Sequence, residues 1–110
     1  MFSGKKLIAT GAVLLGLAML LPADVIHDAA EIGDLKVAKD LLAQNPKLVN
    51  AKGDHNDTPL HLAARNGYKE MVNFLISKGA DVNDRNDNGA TPLLMAAMRG
   101  NKESVELLAA

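Results

Sequence analysis

TPLHLAARNGY, residues 58–68, returns as TPLLMAAMRGN at residues 91–101, a spacing of 33. The agreement runs on through Lys69-Glu70 and Lys102-Glu103, Val72 and Val105, and Leu75 and Leu108. Each copy carries its own helix instructions. Thr58 can cap a helix by taking a free backbone N–H on its hydroxyl. Pro59 suits the first helical position, where no N–H is required. Leu60, Ala63 and Ala64 place small apolar groups on one face. Gly67 can adopt the left-handed conformation that ends the helix. Met71, Val72, Leu75 and Ile76 then recur at helical spacing, so the pattern predicts a second helix ended by Gly79. Val82 is expected to anchor an extended stretch, and NDRNDNGA (residues 83–90) reads as a polar turn. Asn56 stands where the next loop has Gly89, and Asn tolerates positive φ best among the other residues. Asn50 and Asn83 recur at the loop starts and are expected to close the loops through side-chain to backbone bonds.

A fainter copy lies 34 residues upstream, with Asp24 on Thr58, Ile26 on Leu60, His27 on His61, Ala29-Ala30 on Ala63-Ala64 and Gly33 on Gly67. Asp24 takes the cap position there. Val49-Asn50 falls on Val82-Asn83 at a spacing of 33, so one extra residue sits near Asn45-Pro46. A surface loop absorbs such an insertion cheaply.

These residues resemble an ankyrin repeat. Thr58 to Tyr68, followed by Gly79-Ala80-Asp81-Val82-Asn83, carries both the period and the T-P-L-H-x-A core of that family. The third copy departs at Leu94 and Met95, and the first is degenerate, as terminal repeats usually are. The resemblance implies an all-α solenoid of about three helix–turn–helix repeats with β-hairpin-like loops and a concave groove. It also implies a protein that binds other proteins and performs no chemistry itself. The expected units are residues 24–56, 57–89 and 90–110, the last incomplete. Ala109-Ala110 falls inside the second helix of the third copy, so the expectation is a piece of a longer array, the alternative being an end face that docks on another body. Segment 24–110 alone is then expected to be marginally stable or to self-associate.

Residues 1–23 read differently. Met1 to Lys6 is short and positive, Leu7 to Leu21 is an uncharged apolar run, and Pro22-Ala23 precedes the acidic sequence. That order predicts a signal peptide cut after Ala23, with an added apolar helix at the start of the uncut chain. The run of 15 residues is short of the roughly 20 that span a membrane. The expected location is the periplasm or outside the cell. The alternative is an inner-membrane anchor with residues 7–21 retained. Beyond Ala23 remain ten basic and 13 acidic side chains, a net charge of −3. That balance argues against a phosphate-tracking surface, hence against nucleic acid as partner.

No catalytic or cofactor site is expected. The chain has no Cys, which excludes disulfides, thiol nucleophiles and thiolate metal sites. Ser3 lies in the leader, and Ser77 and Ser104 fall on second helices. No glycine-rich phosphate cradle follows a strand. Asp84-Arg85-Asn86-Asp87-Asn88-Gly89 matches the first half of a calcium loop, but the twelfth position, where a bidentate Glu is needed, is Met95. His27 and His61 occupy equivalent places in adjacent copies, about 8–10 Å apart if the helices stack, too far to share an ion. The family resemblance makes both structural, bonding backbone or the Thr cap.

In a repeat protein the shared residues build the scaffold and the exposed differences carry specificity. Overlaying the second and third copies isolates Lys52, Asp54, His55 and Asp57 against Arg85, Asp87, Asn88 and Ala90 at the loop tips. At the ends of the first helices it isolates Arg65 and Asn66 against Met98 and Arg99. Tips and first helices line the concave side in the family. Lys52, Asp54, His55, Asp57, Arg65, Asn66, Arg85, Asp87, Asn88, Met98 and Arg99 are therefore the expected contact set for a partner protein. Met98 is the apolar anchor among them.

Overall fold

The structure, a computed structural model, describes residues 22–110. The leader, apart from Pro22 and Ala23, lies outside the described residues. Six helices form three antiparallel pairs: α1 (Pro22–Ile32) with α2 (Leu35–Gln44), α3 (Pro59–Asn66) with α4 (Lys69–Ser77), and α5 (Pro92–Met98) with α6 (Lys102–Ala109). No strand occurs among the described residues.

The caps work locally as the sequence suggests. Thr58 Oγ1 accepts from the His61 N–H and Thr91 Oγ1 from the Leu94 N–H, both at 3.3 Å. Gly67, at φ 75, ends α3 in the left-handed conformation. Two details differ from expectation. Helix α1 starts at Pro22, so Asp24 lies within its first turn instead of capping it, where a carboxylate still favours the helix dipole. Val82 sits in a turn, half-buried against the core, and is not extended. The extra residue near Asn45 is absorbed by a 3₁₀ helix, Pro46–Asn50, which Asn45 caps by accepting the Lys47 N–H.

The first helices stack side by side, α1 on α3 and α3 on α5. Ala29, Ala30, Ala63, Ala64 and Ala96 are buried at these contacts, where small side chains permit close approach. Ile26, Leu41, Leu60, Met71, Val72 and Leu75 fill the space between first and second helices and are almost wholly buried. Each such side chain contributes about 1.5–3 kcal/mol by leaving water. The core thins toward the third pair, where Val105, Leu107 and Leu108 are only half-buried.

Ser104 breaks the apolar pattern. It is 1% exposed, its Oγ has no hydrogen-bond partner among the described residues, and the equivalent residue of the second copy is the buried Met71. A buried hydroxyl without a partner costs about 1–3 kcal/mol. Ser104→Ala is therefore expected to raise stability by about 1 kcal/mol, shifting the melting temperature up by roughly 5 °C. An unchanged or lower midpoint in thermal unfolding followed by circular dichroism would show that the hydroxyl is satisfied in solution.

Candidate functional site

The loop between α2 and α3 and the loop between α4 and α5 project from the helix layer, and each tip is closed by one cross-bond. The Gly53 N–H donates to Asp57 O at 2.8 Å, and the Asn86 N–H donates to Ala90 O at 3.0 Å. In the second loop the Asn86 side chain accepts from the N–H groups of Asn88 and Ala90, while Gly89 supplies φ 75. In the first, Asn56 supplies φ 58 as its sequence position suggests, and His55 shares that conformation at φ 59.

The two tips are laced together. Asn86 Nδ2 donates to Asp57 Oδ1 at 2.9 Å, Asn56 Nδ2 donates to Asp87 Oδ1 at 2.7 Å, and the Asp87 N–H donates to His55 O at 2.9 Å. Lys52 pairs with Asp84. Asn50 donates to Gly79 O and accepts from the Asp81 N–H at 2.8 Å, so it bridges to the next repeat where a bond within its own loop was expected. The half calcium motif is spent the same way: Asn86 is buried with its amide committed to the tip, and Asp84 faces Lys52.

Both histidines that the alignment paired are staples. His61 Nδ1 accepts from the Thr58 N–H at 3.1 Å, and its Nε2 donates to Ala90 O at 2.8 Å in the next loop. A carbonyl can only accept and an amide N–H can only donate, so these partners assign the neutral Nε2–H tautomer. His27 Nε2 donates to Ala51 O at 2.8 Å and Asp57 O at 3.0 Å, the same link one repeat earlier. Gly53 lies flat on the His27 ring, where a Cβ would come within 2.9 Å.

Below the first tip lies a cleft of about 550 Å³. Its walls are α1, α3 and the tip itself. Asp24, Asp28, Glu31, Asp54 and Asp57 line it with His27, His55 and Arg65, above a floor that includes Val25 and Leu62. Arg65, the only Lys or Arg in the lining among the described residues, faces Glu31 at 3.7 Å. Carboxylates therefore dominate the cleft. The exposed row continues outward: Met98 holds in α5 the place that Arg65 holds in α3, and it is 71% exposed.

Of the expected contact set, the structure brings Asp54, His55, Asp57 and Arg65 to this one cleft. Asp57 must be withdrawn as a surface contact. It is 5% exposed, with its carboxylate turned onto Asn86. Lys52 and Asp87 are engaged between the two tips, and Asn66 Nδ2 donates to Glu31 O at 3.0 Å. The side chains of Asp54, His55, Arg85, Asn88, Met98 and Arg99 engage no partner among the described residues. The overlay of the second and third copies passed over Asp24, Asp28 and Glu31, the acidic wall on α1. Extending the 34-residue register to the first copy would have found them, since Glu31 falls on Arg65 and Asp28 on Leu62.

A family model described as Ankyrin repeats (3 copies) matches residues 26–110. Among curated proteins, the chain is similar to Alpha-latrocrustotoxin-Lt1a of Latrodectus tredecimguttatus, 44% identical over 54 residues, which is 49% of this chain and 4% of the toxin. It is similar to Ankyrin repeat and SOCS box protein 1 of Mus musculus, 42% identical over 64 residues, 52% of this chain and 19% of that protein. It is also similar to the human NAD-capped RNA hydrolase NUDT12, 40% identical over 55 residues, 50% of this chain and 12% of the hydrolase. The chain thus spans less than a fifth of the length of these relatives.

Proposed function

Because the chain belongs to the ankyrin repeat family, whose repeats are generally protein–protein interaction modules, we propose that it is a non-catalytic module that grips a partner protein in the groove between its loop tips and first helices. The observation that carries this reading is the cleft of about 550 Å³ under the first tip, with the 71%-exposed Met98 one helix further along the same row. Methionine is enriched in protein–protein interfaces relative to the rest of the surface, which suits Met98 to the role of an anchor. The neighbouring tips are laced by side-chain bonds, which pre-orders the surface and lowers the entropic cost of binding.

The order of charge, apolar run and small residues over Met1–Ala23 supports export as the setting of this binding. No helix among the described residues is long and apolar enough to cross a membrane, and residues 7–21 lie outside them. N-terminal sequencing of the protein from its host decides the setting: a chain starting at Asp24 is exported, and one starting at Met1 retains the leader as an anchor.

The binding surface is tested by affinity capture with the full chain and with an Arg65→Ala, Met98→Ala, Arg99→Ala triple variant. These three side chains lie at the ends of α3 and α5 and none is fully buried, so circular dichroism should remain unchanged. Partner recovery is expected to fall about tenfold or more, as for loss of an interface anchor. Undiminished recovery of the same partners would move the binding surface elsewhere.

A further inference from the structure

We propose that the groove takes an extended protein segment of defined polarity, with cationic side chains over α1 and an apolar side chain against Met98. This rests on the groove reading above and names the chemistry of its occupant. Two ends of one row carry the argument. At the α1 end, Asp24, Glu31 and the tip residue Asp54 are exposed around the cleft, and the only Lys or Arg in its lining among the described residues, Arg65, is already paired with Glu31. A segment with carboxylates there would be repelled, and one with Lys or Arg would be steered in. At the α5 end, Met98 is exposed beside the exposed Ala97, and a flexible thioether adapts to varied apolar shapes.

The separation sets the spacing. Glu31, Arg65 and Met98 are equivalent residues on three stacked helices. Neighbouring helix axes lie about 8–10 Å apart, so the row spans roughly 16–20 Å from end to end. An extended chain rises about 3.3 Å per residue, which places the apolar side chain about five or six residues from the cation. A nucleic acid fits neither end: its phosphates meet carboxylates, and its sugar edge meets a methionine.

The probe is a fluorescein-labelled octapeptide, Lys-Lys-Ser-Thr-Ser-Thr-Ser-Leu, titrated with the full chain by fluorescence anisotropy. Binding is expected at a Kd below about 1 mM, weakening with added salt because the charges are exposed. Replacing both Lys by Glu, or neutralising the protein with Asp24→Asn and Asp54→Asn, is expected to weaken it about tenfold. Met98→Ser is expected to weaken the Leu peptide about threefold and to leave a peptide with Ser in place of Leu unchanged. Equal binding of the Glu peptide, no binding at about 1 mM, or a Leu contribution insensitive to Met98 overturns the assignment. So does concentration-dependent self-association abolished by Met98→Ser, which would give the α5 face to a second copy. The two readings separate cleanly. If the peptide fails while the triple variant still loses its captured partner, the groove stands and its charge assignment falls. Should capture survive the triple variant, the groove itself falls.

Discussion

His61→Ala is expected to cost about 3–4 kcal/mol of stability, lowering the melting temperature by roughly 15–25 °C. The ring is completely buried and holds two backbone groups, the Thr58 N–H and the Ala90 carbonyl, the second of which also accepts from the Asn86 N–H. Its removal leaves the Thr58 N–H without a partner in a dry environment, costing about 1–3 kcal/mol, and takes from the Ala90 carbonyl one of its two bonds, worth about 0.5–1.5 kcal/mol. It also leaves a ring-sized cavity between α3 and the next loop. The whole stability of such a domain is about 5–15 kcal/mol, so the variant stands near the edge of folding. His61→Gln, whose amide can still reach one of the two partners, should lose about half as much. Leu94 stands at the equivalent place of the third copy and is 47% exposed, with no described loop beyond it. Leu94→His can therefore gain only the capping half of the arrangement and should change stability by less than about 1 kcal/mol. Urea unfolding of the three variants measures all of this. A loss below about 1 kcal/mol for His61→Ala would mean that water or a relaxed loop replaces the ring.

Gly67→Ala is expected to cost about 2–3 kcal/mol, and Gly100→Ala only about 1 kcal/mol. Both glycines end a first helix at nearly the same left-handed φ, 75 and 71. The conformational penalty is therefore common to both. What differs is the neighbour. A Cβ on Gly67 would come within 2.9 Å of the Asn101 side chain, whereas one on Gly100 meets nothing within 4 Å. Asn101 cannot swing away freely, because its amide donates to Ala64 O at 2.9 Å and Arg65 O at 2.8 Å, satisfying the last carbonyls of α3. The same arrangement recurs one repeat earlier, where a Cβ on Gly33 would press on the Tyr68 ring at 3.0 Å. The difference between the two variants thus reads the contact between repeats. Equal losses would show that Asn101 yields without cost.

These effects mark where local sequence stops informing. The Thr caps, the terminal glycines, the turn residue Asn56 and the apolar spacing of α4 act within one repeat, between neighbours a few residues apart, and the repeat reading found them. The family resemblance also gave His61 a bond to backbone or to the Thr cap. That the same ring reaches the next loop, that Gly67 receives Asn101, and that Asn50 serves the following repeat are contacts over 29 to 37 residues. Each joins a side-chain donor to a backbone carbonyl, and the carbonyl carries no sequence letter. Asp57 shows the cost of ignoring this. In the sequence it is one more acid in a polar loop, and in the fold it is a buried acceptor for Asn86.

The sequence by itself determined the repeat, its period, the helix pairs with the Thr caps of α3 and α5, and the family. It did so because each repeat encodes its own secondary structure, and stacking near-copies leaves few other ways to bury their apolar faces. Tertiary structure alone decided which polar residues remain available. Stacking brings the acids of α1 together with the first loop tip to form one cleft, and it consumes Lys52, Asp57 and Asp87 as ties between tips. A groove is a relation between adjacent repeats, so its walls and its charge exist only once the repeats are stacked.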